Sequence, residues 1–95
     1  MDIYFRDEML ALVETDRAAE TKLPVSLINS MRKKLAVMRA APDERTLRNW
    51  KSLHYEKMTE EERSIRLNDQ YRLIFTLNTD CHPNKVTVLR VWDHD

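Results

Sequence analysis

The absence of glycine is the feature of this sequence that most restricts what the chain can fold into. Glycine adopts positive φ angles without steric cost, so loops that wrap their backbone closely around a phosphate depend on it. The sequence therefore excludes the P-loop and the glycine-rich dinucleotide-binding turn. Its single cysteine, Cys81, also excludes an internal disulfide and a multi-cysteine zinc site.

Length and hydropathy indicate one soluble domain. The 95 residues are 42% apolar and 34% charged, which is typical of a globular protein, and we predict a single domain over residues 1–95. The longest apolar run, 9–13, is far shorter than the roughly 20 residues that span a bilayer. The early acidic residues Asp2, Asp7 and Glu8 do not fit a secretory signal. We therefore expect a cytoplasmic protein with no membrane partner.

The net charge of zero conceals an uneven distribution of charge along the chain. Residues 1–20 carry six acidic and two basic side chains, residues 21–58 carry three acidic and nine basic ones, and residues 59–95 carry seven acidic and five basic ones. The basic middle fits a solvated helix face, but it also fits a surface for a polyanion, because phosphate attraction depends on local charge. Composition leaves both interpretations open.

Hydrophobic periodicity predicts helices in the first half of the chain. A short strand is expected at 3–5 and a helix at 6–15, followed by a loop or frayed helical extension at 15–23. The apolar stripe of the first helix consists of Met9, Leu12 and Val13. A second helix is expected at 24–40, because proline suits a first helical turn and the apolar residues share one side. These residues are Leu27, Ile28, Met31, Leu35 and Met38.

The second half of the chain has the alternating pattern of strands. Pro42 ends the long helix, and Asp43 is expected to cap a short helical turn through Leu47. Four strands are then predicted, at 50–55, 63–67, 71–77 and 85–92. Together with the first strand, this order predicts an α+β fold, in which N-terminal helices pack on one face of a mostly antiparallel sheet of four to five strands.

A three-residue loop at 68–70 sets which side chains of the predicted hairpin share a face, because side chains alternate along a strand. One face is apolar and fits against the helices: Ile65, Leu67, Tyr71, Leu73 and Phe75. The opposite face receives Ser64, Arg66, Arg72, Ile74 and Thr76. A two-residue loop would instead insert Arg66 into the core. We therefore expect Arg66 and Arg72 on a face that is free to meet a ligand.

Further charged residues are expected beside this face. Lys57 precedes the hairpin, Arg90 lies on the last strand, and Asp93, His94 and Asp95 follow that strand. If these elements are neighbours in one sheet, they form a basic patch with a histidine at its edge. Metal-free RNA cleavage needs such a set: a base for the 2′-hydroxyl proton, cations for the phosphorane and an acid for the 5′-oxygen. Arginine, lysine and histidine supply these roles.

The three histidines do not indicate a metal site. His54, His82 and His94 lie far apart and lack the spacing of known metal-binding motifs. Cys81 is adjacent to His82, but neighbouring side chains on an extended chain point in opposite directions. We therefore predict no metal, no cofactor and no cysteine nucleophile.

Two segments carry a resemblance to a known toxin family. They are WKSLHYEK at Trp50–Lys57 and SIRLNDQYRLIF at Ser64–Phe75, and a valine-rich strand ending in aspartate and histidine follows them. With the basic helix at 31–42, they resemble the HigB branch of the RelE/ParE toxin superfamily over nearly the whole chain. The resemblance implies a RelE-like fold and a toxin that enters the ribosomal A site and cuts messenger RNA. It also implies a cognate helix-turn-helix antitoxin, similar to HigA.

The resemblance also implies roles for particular residues. The implied catalytic residues are Lys57, Arg72, Asp93 and His94. The candidate RNA-binding residues are Lys51, His54, Arg66 and Arg90.

Two departures from the family pattern leave alternative functions open. The family commonly ends in Asp-Tyr-His, whereas this chain has Asp93-His94-Asp95, so either His94 transfers the proton or catalysis is impaired. Three carboxylates, at 60–62, follow the loop lysine closely, where the family often has a glycine directly after it. The alternatives are a ParE-like toxin that inhibits DNA gyrase without catalysis and a catalytically impaired family member.

Overall fold

Five strands form one sheet, and the helices pack on one of its faces. The structure is a computed structural model that describes residues 1–93. Its helices and strands are β1 (Asp2–Phe5), α1 (Glu8–Ala11), α2 (Val25–Ala40), α3 (Glu44–Asn49), β2 (Glu56–Lys57), β3 (Glu62–Arg66), β4 (Tyr71–Asn78) and β5 (Lys85–Asp93). The sheet order is β1–β5–β4–β3–β2, with β1 parallel to β5 and the other pairs antiparallel. The predicted α+β fold class is confirmed.

Helix α2 provides most of the helical side of the core. All five apolar residues predicted for its buried side are buried: Leu27, Ile28, Met31, Leu35 and Met38. They belong to the same core cluster as the sheet residues Ile65, Leu73, Phe75, Val86 and Val88. We call this side of the sheet the helix face and the opposite side the outer face.

The terminal amino group of the chain caps the C-terminal end of α2. The terminal amino group of Met1 donates hydrogen bonds to the carbonyl oxygens of Met38, Arg39 and Ala41 at 3.3, 2.9 and 3.0 Å. The last carbonyls of a helix lack intrahelical partners, and a cation there also interacts favourably with the helix dipole. These bonds tie the start of β1 to the end of α2.

The N-terminal helix differs from its prediction. Asp7 caps α1 by accepting a hydrogen bond from the Met9 amide at 2.9 Å, but α1 ends at Ala11 and a 3₁₀ turn follows at Leu12–Glu14. A 3₁₀ turn has three residues per turn, so the buried side shifts. Leu10 and Val13 are buried, whereas Met9 is 51% exposed. The predicted loop at 15–23 also contains a 3₁₀ turn, Ala18–Thr21.

The predicted strand at 50–55 is wrong. This segment forms a 3₁₀ turn, Lys51–Leu53, that carries Leu53 into the core, and strand pairing begins only at Glu56. The amides of Trp50 and Leu53 each donate to the carbonyl three residues earlier, which suits apolar residues spaced by three. With no glycine in the chain, the left-handed positions at Lys22 (φ 61°) and His54 (φ 46°) are taken by larger residues.

Two findings concern the described part of the chain as a whole. Across residues 1–93, no helix combines the length and the apolar character needed to cross a bilayer. Within the same residues, no group of three histidine, cysteine or acidic side chains is placed to hold a metal ion.

Candidate functional site

The β3–β4 hairpin has the predicted register. Ile65 pairs with Leu73 and Arg66 pairs with Arg72, and the Leu67 amide donates to the Tyr71 carbonyl at 2.9 Å. The predicted apolar residues therefore point to the helix face, where Ile65, Leu67, Leu73 and Phe75 are buried and Tyr71 is half-buried. The three-residue loop is confirmed.

The outer face of the hairpin is more covered than the sequence predicted. Ser64 is 0% exposed, Ile74 is 1% exposed and Arg72 is 8% exposed. Ile74 and Leu89 are buried but lie outside the main core cluster, so the outer face has an apolar patch of its own. The expectation that Arg72 stands freely on this face is wrong, because the segment before β2 packs against its guanidinium.

Arg72 is held by hydrogen bonds from two directions. Its Nε donates to Ser64 Oγ at 2.8 Å, and its Nη2 donates to the backbone carbonyl oxygen of His54. The Glu56 carboxylate lies 4.0 Å from Nη2. These bonds offset the cost of burying a charged group, and they use two of the five N–H donors of a guanidinium.

Lys57 lies on the edge strand β2, in register with residues of the helix face, whereas Arg72 is on the outer face. It pairs with Arg63, which pairs in turn with Phe75, a residue of the helix face. Its side chain is 54% exposed, and its Nζ lies 3.4 Å from the carboxylate of Glu60. The expectation that Lys57 joins Arg72 in one basic patch beside this face is therefore wrong. The two residues are linked through Glu56, which precedes Lys57 and approaches Arg72.

Arg66 and Arg90 do lie on the outer face, and each is paired with a carboxylate. Arg66 donates to Asp69 in the hairpin loop. Arg90 on β5 reaches across β4 to Glu62 on β3, with two bonds of 3.1 and 2.9 Å. The hydrogen bond between them, above all, lowers the pKa of Glu62 and raises that of Arg90. The acidic residues after Lys57 thus neutralise cations of the predicted patch.

The remaining predicted site residues surround the ends of the same strands. Lys51 is exposed on the 3₁₀ turn before β2, and the His54 side chain is exposed while its carbonyl binds Arg72. Asp93 is exposed at the end of β5 and accepts a hydrogen bond from Gln70 Nε2 at 2.9 Å. His94 lies outside the described residues.

Sequence reasoning missed a polar cluster beside Lys57. The Tyr55 hydroxyl donates to Glu44 on α3, and Arg63 Nε lies 3.7 Å from the same carboxylate. Burial, followed by the interaction with Glu44, raises the pKa of Tyr55 to about 12. Arg63 Nη1 also donates to the carbonyls of Thr59 and Glu60, in the loop that follows Lys57, and to that of Glu62 at the start of β3. No local pattern reveals the contacts of Tyr55 and Arg63 with Glu44, because that residue lies on a separate element, α3.

An open groove of about 560 Å³ lies next to this cluster, between the β2–β3 and β4–β5 connections. Its lining consists of Glu60, Glu61, Arg63, Thr76, Leu77, Asn78, Thr79 and Asp80. Three carboxylates against one guanidinium make the groove unfavourable for a phosphate group. The arginines of the outer face are the better candidates for contact with a polyanion.

Comparison with known proteins identifies a family relationship. A family model described as HigB-like toxin, a RelE-like toxin of the type II toxin–antitoxin system HigB, matches residues 3–88. The match contains Lys57 and Arg72 and ends before Arg90, Asp93 and His94. A search of curated proteins finds none that matches the chain.

Proposed function

The chain belongs to the HigB-like toxins, the RelE-like toxins of type II toxin–antitoxin systems, and we propose that it is a ribosome-dependent endonuclease that cuts messenger RNA. The reaction is a metal-free attack of the 2′-hydroxyl on the adjacent phosphodiester, in which the new bond from the 2′-oxygen to phosphorus replaces the bond to the 5′-oxygen of the next nucleotide and leaves a 2′,3′-cyclic phosphate. The proposal is supported by two residues within the matched segment that supply positive charge for this chemistry, Lys57 and Arg72.

The observation that carries the proposal is how Arg72 is held. A charge that is fixed before the reaction stabilises the phosphorane without the cost of reorganising it. Ser64 and the His54 carbonyl orient the guanidinium through Nε and Nη2. In this proposal a phosphate oxygen contacts the remaining N–H donors. Inhibition of DNA gyrase by binding alone does not require a preorganised guanidinium.

Lys57, His94 and Asp93 supply the remaining functions that the reaction needs. Lys57 belongs to the other face of the sheet from Arg72, but it is exposed on the edge strand, and in this proposal its long side chain leaves Glu60 for the phosphate and supplies a second positive charge. His94 takes the 2′-hydroxyl proton and returns a proton to the departing 5′-oxygen, because imidazole can accept or donate a proton near neutral pH. Asp93 precedes it and is fixed by Gln70, so we assign Asp93 to orienting the end of β5 beside the RNA.

The partners follow from the same proposal. The substrate is messenger RNA in the ribosomal A site, and a helix-turn-helix antitoxin similar to HigA neutralises the toxin. Both partners place the protein in the cytoplasm.

Transcript-end mapping after induction in cells tests the proposal. The wild-type chain produces new 5′ ends within translated messages and none in a message whose start codon is removed. His94→Ala lowers cleavage by about 10²- to 10⁴-fold, the usual range for loss of an acid–base group. Lys57→Ala lowers it by about 10²- to 10³-fold, the range for loss of one group that stabilises transition-state charge. Lys33→Ala, on the exposed side of α2, is the matched control and cleaves normally. Growth arrest without new 5′ ends contradicts the nuclease.

Labelled precursors separate the nuclease from a gyrase inhibitor. Incorporation of labelled leucine falls first if the protein cuts messages on ribosomes. A primary fall in thymidine incorporation supports the ParE-like alternative instead.

A further inference from the structure

Trp92 stands out among the exposed aromatic residues because of its place on the sheet. It is 40% exposed, and it pairs in register with Arg72, which pairs with Arg66. These three residues form one row across the outer face, from β3 through β4 to β5. Neighbouring strands are about 4.8 Å apart, so the indole lies beside the proposed phosphate-binding arginine.

A bulge in β5 brings Arg90 to the same side. The register between β4 and β5 shifts between Ile74 and Phe75, after which Ile74 pairs with Arg90. Arg90 and Trp92 are therefore both on the outer face, two residues apart on one strand. Buried Ile74 and Leu89 form an apolar floor outside the main core. The indole thus lies among arginines on a sheet surface.

This arrangement suits single-stranded RNA. Proteins that bind single strands combine cations for the backbone with aromatic rings on which bases stack, and arginines beside the ring add to the binding. We propose that Trp92 stacks on a base of the RNA whose phosphate contacts Arg72. Trp92 is a substrate-contact residue of the proposed nuclease, and in that sense the inference rests on the proposed function.

The other exposed aromatic residues fit this role less well. Tyr4 is at the far edge strand, β1, away from Arg66 and Arg72 on β3 and β4. Trp50 is 45% exposed but lies between α3 and a 3₁₀ turn, away from the rows of the sheet. Because the chain has two tryptophans, Trp50 provides a matched control.

Tryptophan fluorescence tests the inference directly. In Trp50→Phe, Trp92 is the only tryptophan, so excitation at a wavelength that tyrosine does not absorb reports on it alone. A short single-stranded RNA at low salt quenches this emission saturably. A duplex RNA of the same length quenches it much less, because its bases are already stacked. In Trp92→Phe, the emission of Trp50 stays unchanged. Equal quenching of both variants, or none in Trp50→Phe, overturns the inference.

Affinity supplies the second measurement. Trp92→Leu weakens binding of a labelled single-stranded RNA by about 5- to 150-fold, whereas Trp92→Phe keeps most of the affinity because a ring remains. Urea unfolding checks that both variants are folded. Unchanged affinity of folded Trp92→Leu contradicts the inference, as does quenching of Trp92 by a purified antitoxin but not by RNA.

The outcomes separate this inference from the proposed function. RNA binding through Trp92 without new transcript ends refutes the nuclease and leaves the stacking role intact. New transcript ends that are as abundant in Trp92→Leu as in the wild type, with unchanged RNA affinity, refute the stacking role and leave the nuclease intact.

Discussion

At the scale of single residues, Arg72 connects stability with the proposed chemistry. Its guanidinium is nearly buried and bonds to Ser64, which is itself fully buried, and to the carbonyl of His54. His54 has a left-handed backbone at φ 46°, which costs a non-glycine residue about 1–2 kcal/mol. The bond from Arg72 helps to hold that turn in place. A residue proposed to bind phosphate therefore also anchors the chain before β2.

Replacement of Arg72 is expected to destabilise the protein. Arg72→Ala removes a hydrogen bond from a charged donor and leaves Ser64 buried without it, so we expect the free energy of unfolding to fall by about 2–3 kcal/mol. Arg66→Ala breaks a more exposed pair and costs at most about 1 kcal/mol. Urea unfolding followed by circular dichroism measures both. Equal losses would show that Arg72 has no anchoring role.

Tyr55 makes stability depend on alkaline pH. Its pKa is raised to about 12 in the folded state, chiefly by burial and next by Glu44, whereas an unfolded tyrosine titrates near 10. The unfolded chain therefore loses this proton first, and stability is lost as pH rises from about 10 to about 12. We expect Tyr55→Phe to lose less stability than the wild type over this range. Parallel urea titrations across it test the prediction, and identical slopes contradict it.

At the scale of secondary-structure elements, the prediction from the sequence agrees with the structure where the apolar pattern is long. Helix α2 has sixteen residues and five buried apolar positions, which the sequence predicted. The segment at 50–55 is short, and burial of Leu53 gives a 3₁₀ turn in place of a strand. A single buried anchor outweighs weak β propensity, because intrinsic preferences are small beside packing.

The buried side of α2 supplies a test at this scale. Leu35 is fully buried in the core, and we expect Leu35→Ala to lower the free energy of unfolding by about 2–5 kcal/mol through lost contacts and a residual cavity. Lys33→Ala on the exposed side changes it by less than about 0.5 kcal/mol. Thermal and urea unfolding measure both variants. A similar cost for the two would contradict the assigned faces.

At the scale of the whole molecule, the uneven charges of the sequence are partly neutralised by the fold. Arg39 of the basic middle pairs with Glu14 of the acidic start, with Nη2 and Oε1 2.7 Å apart. Arg32 donates to the carbonyls of Val13 and Thr15. On the sheet, Lys57 and Arg90 pair with carboxylates of the acidic 60–62 segment. RNA must therefore compete with these carboxylates for the cations.

Neutralising those carboxylates should strengthen RNA binding. Glu60 is 93% exposed beside Lys57, and a unit charge at such a distance in water is worth about 1 kcal/mol. Glu60→Gln with Glu61→Gln should raise affinity for single-stranded RNA by up to about fivefold per charge, with less gain at high salt. Glu8→Gln on α1 is the matched control. If Glu8→Gln raised the RNA affinity equally, the effect would come from the net charge of the protein and would contradict a local role for Glu60 and Glu61.

Much of the candidate site was predictable from the sequence, and the predictions that failed did so for physical reasons. The hairpin register followed from a local cost, the burial of Arg66, and it placed Arg66 and Arg72 correctly on the outer face. The burial of Arg72 was not predictable, because it depends on the backbone conformation at His54 and on the position of the 3₁₀ turn before it. The sequence pattern predicted a strand in place of that turn. The Glu62–Arg90 pair joins residues 28 positions apart across a third strand.

The amino-acid sequence by itself determined the α+β class, the buried side of α2 and the two faces of the hairpin, because each depends on periodic burial or on a local turn. Tertiary structure alone decided that Arg90 pairs with Glu62 and Arg72 with the His54 carbonyl, which face Lys57 takes on its short edge strand, and that Trp92 stands in a row with two arginines. These features depend on contacts between distant segments, and no local pattern encodes such contacts.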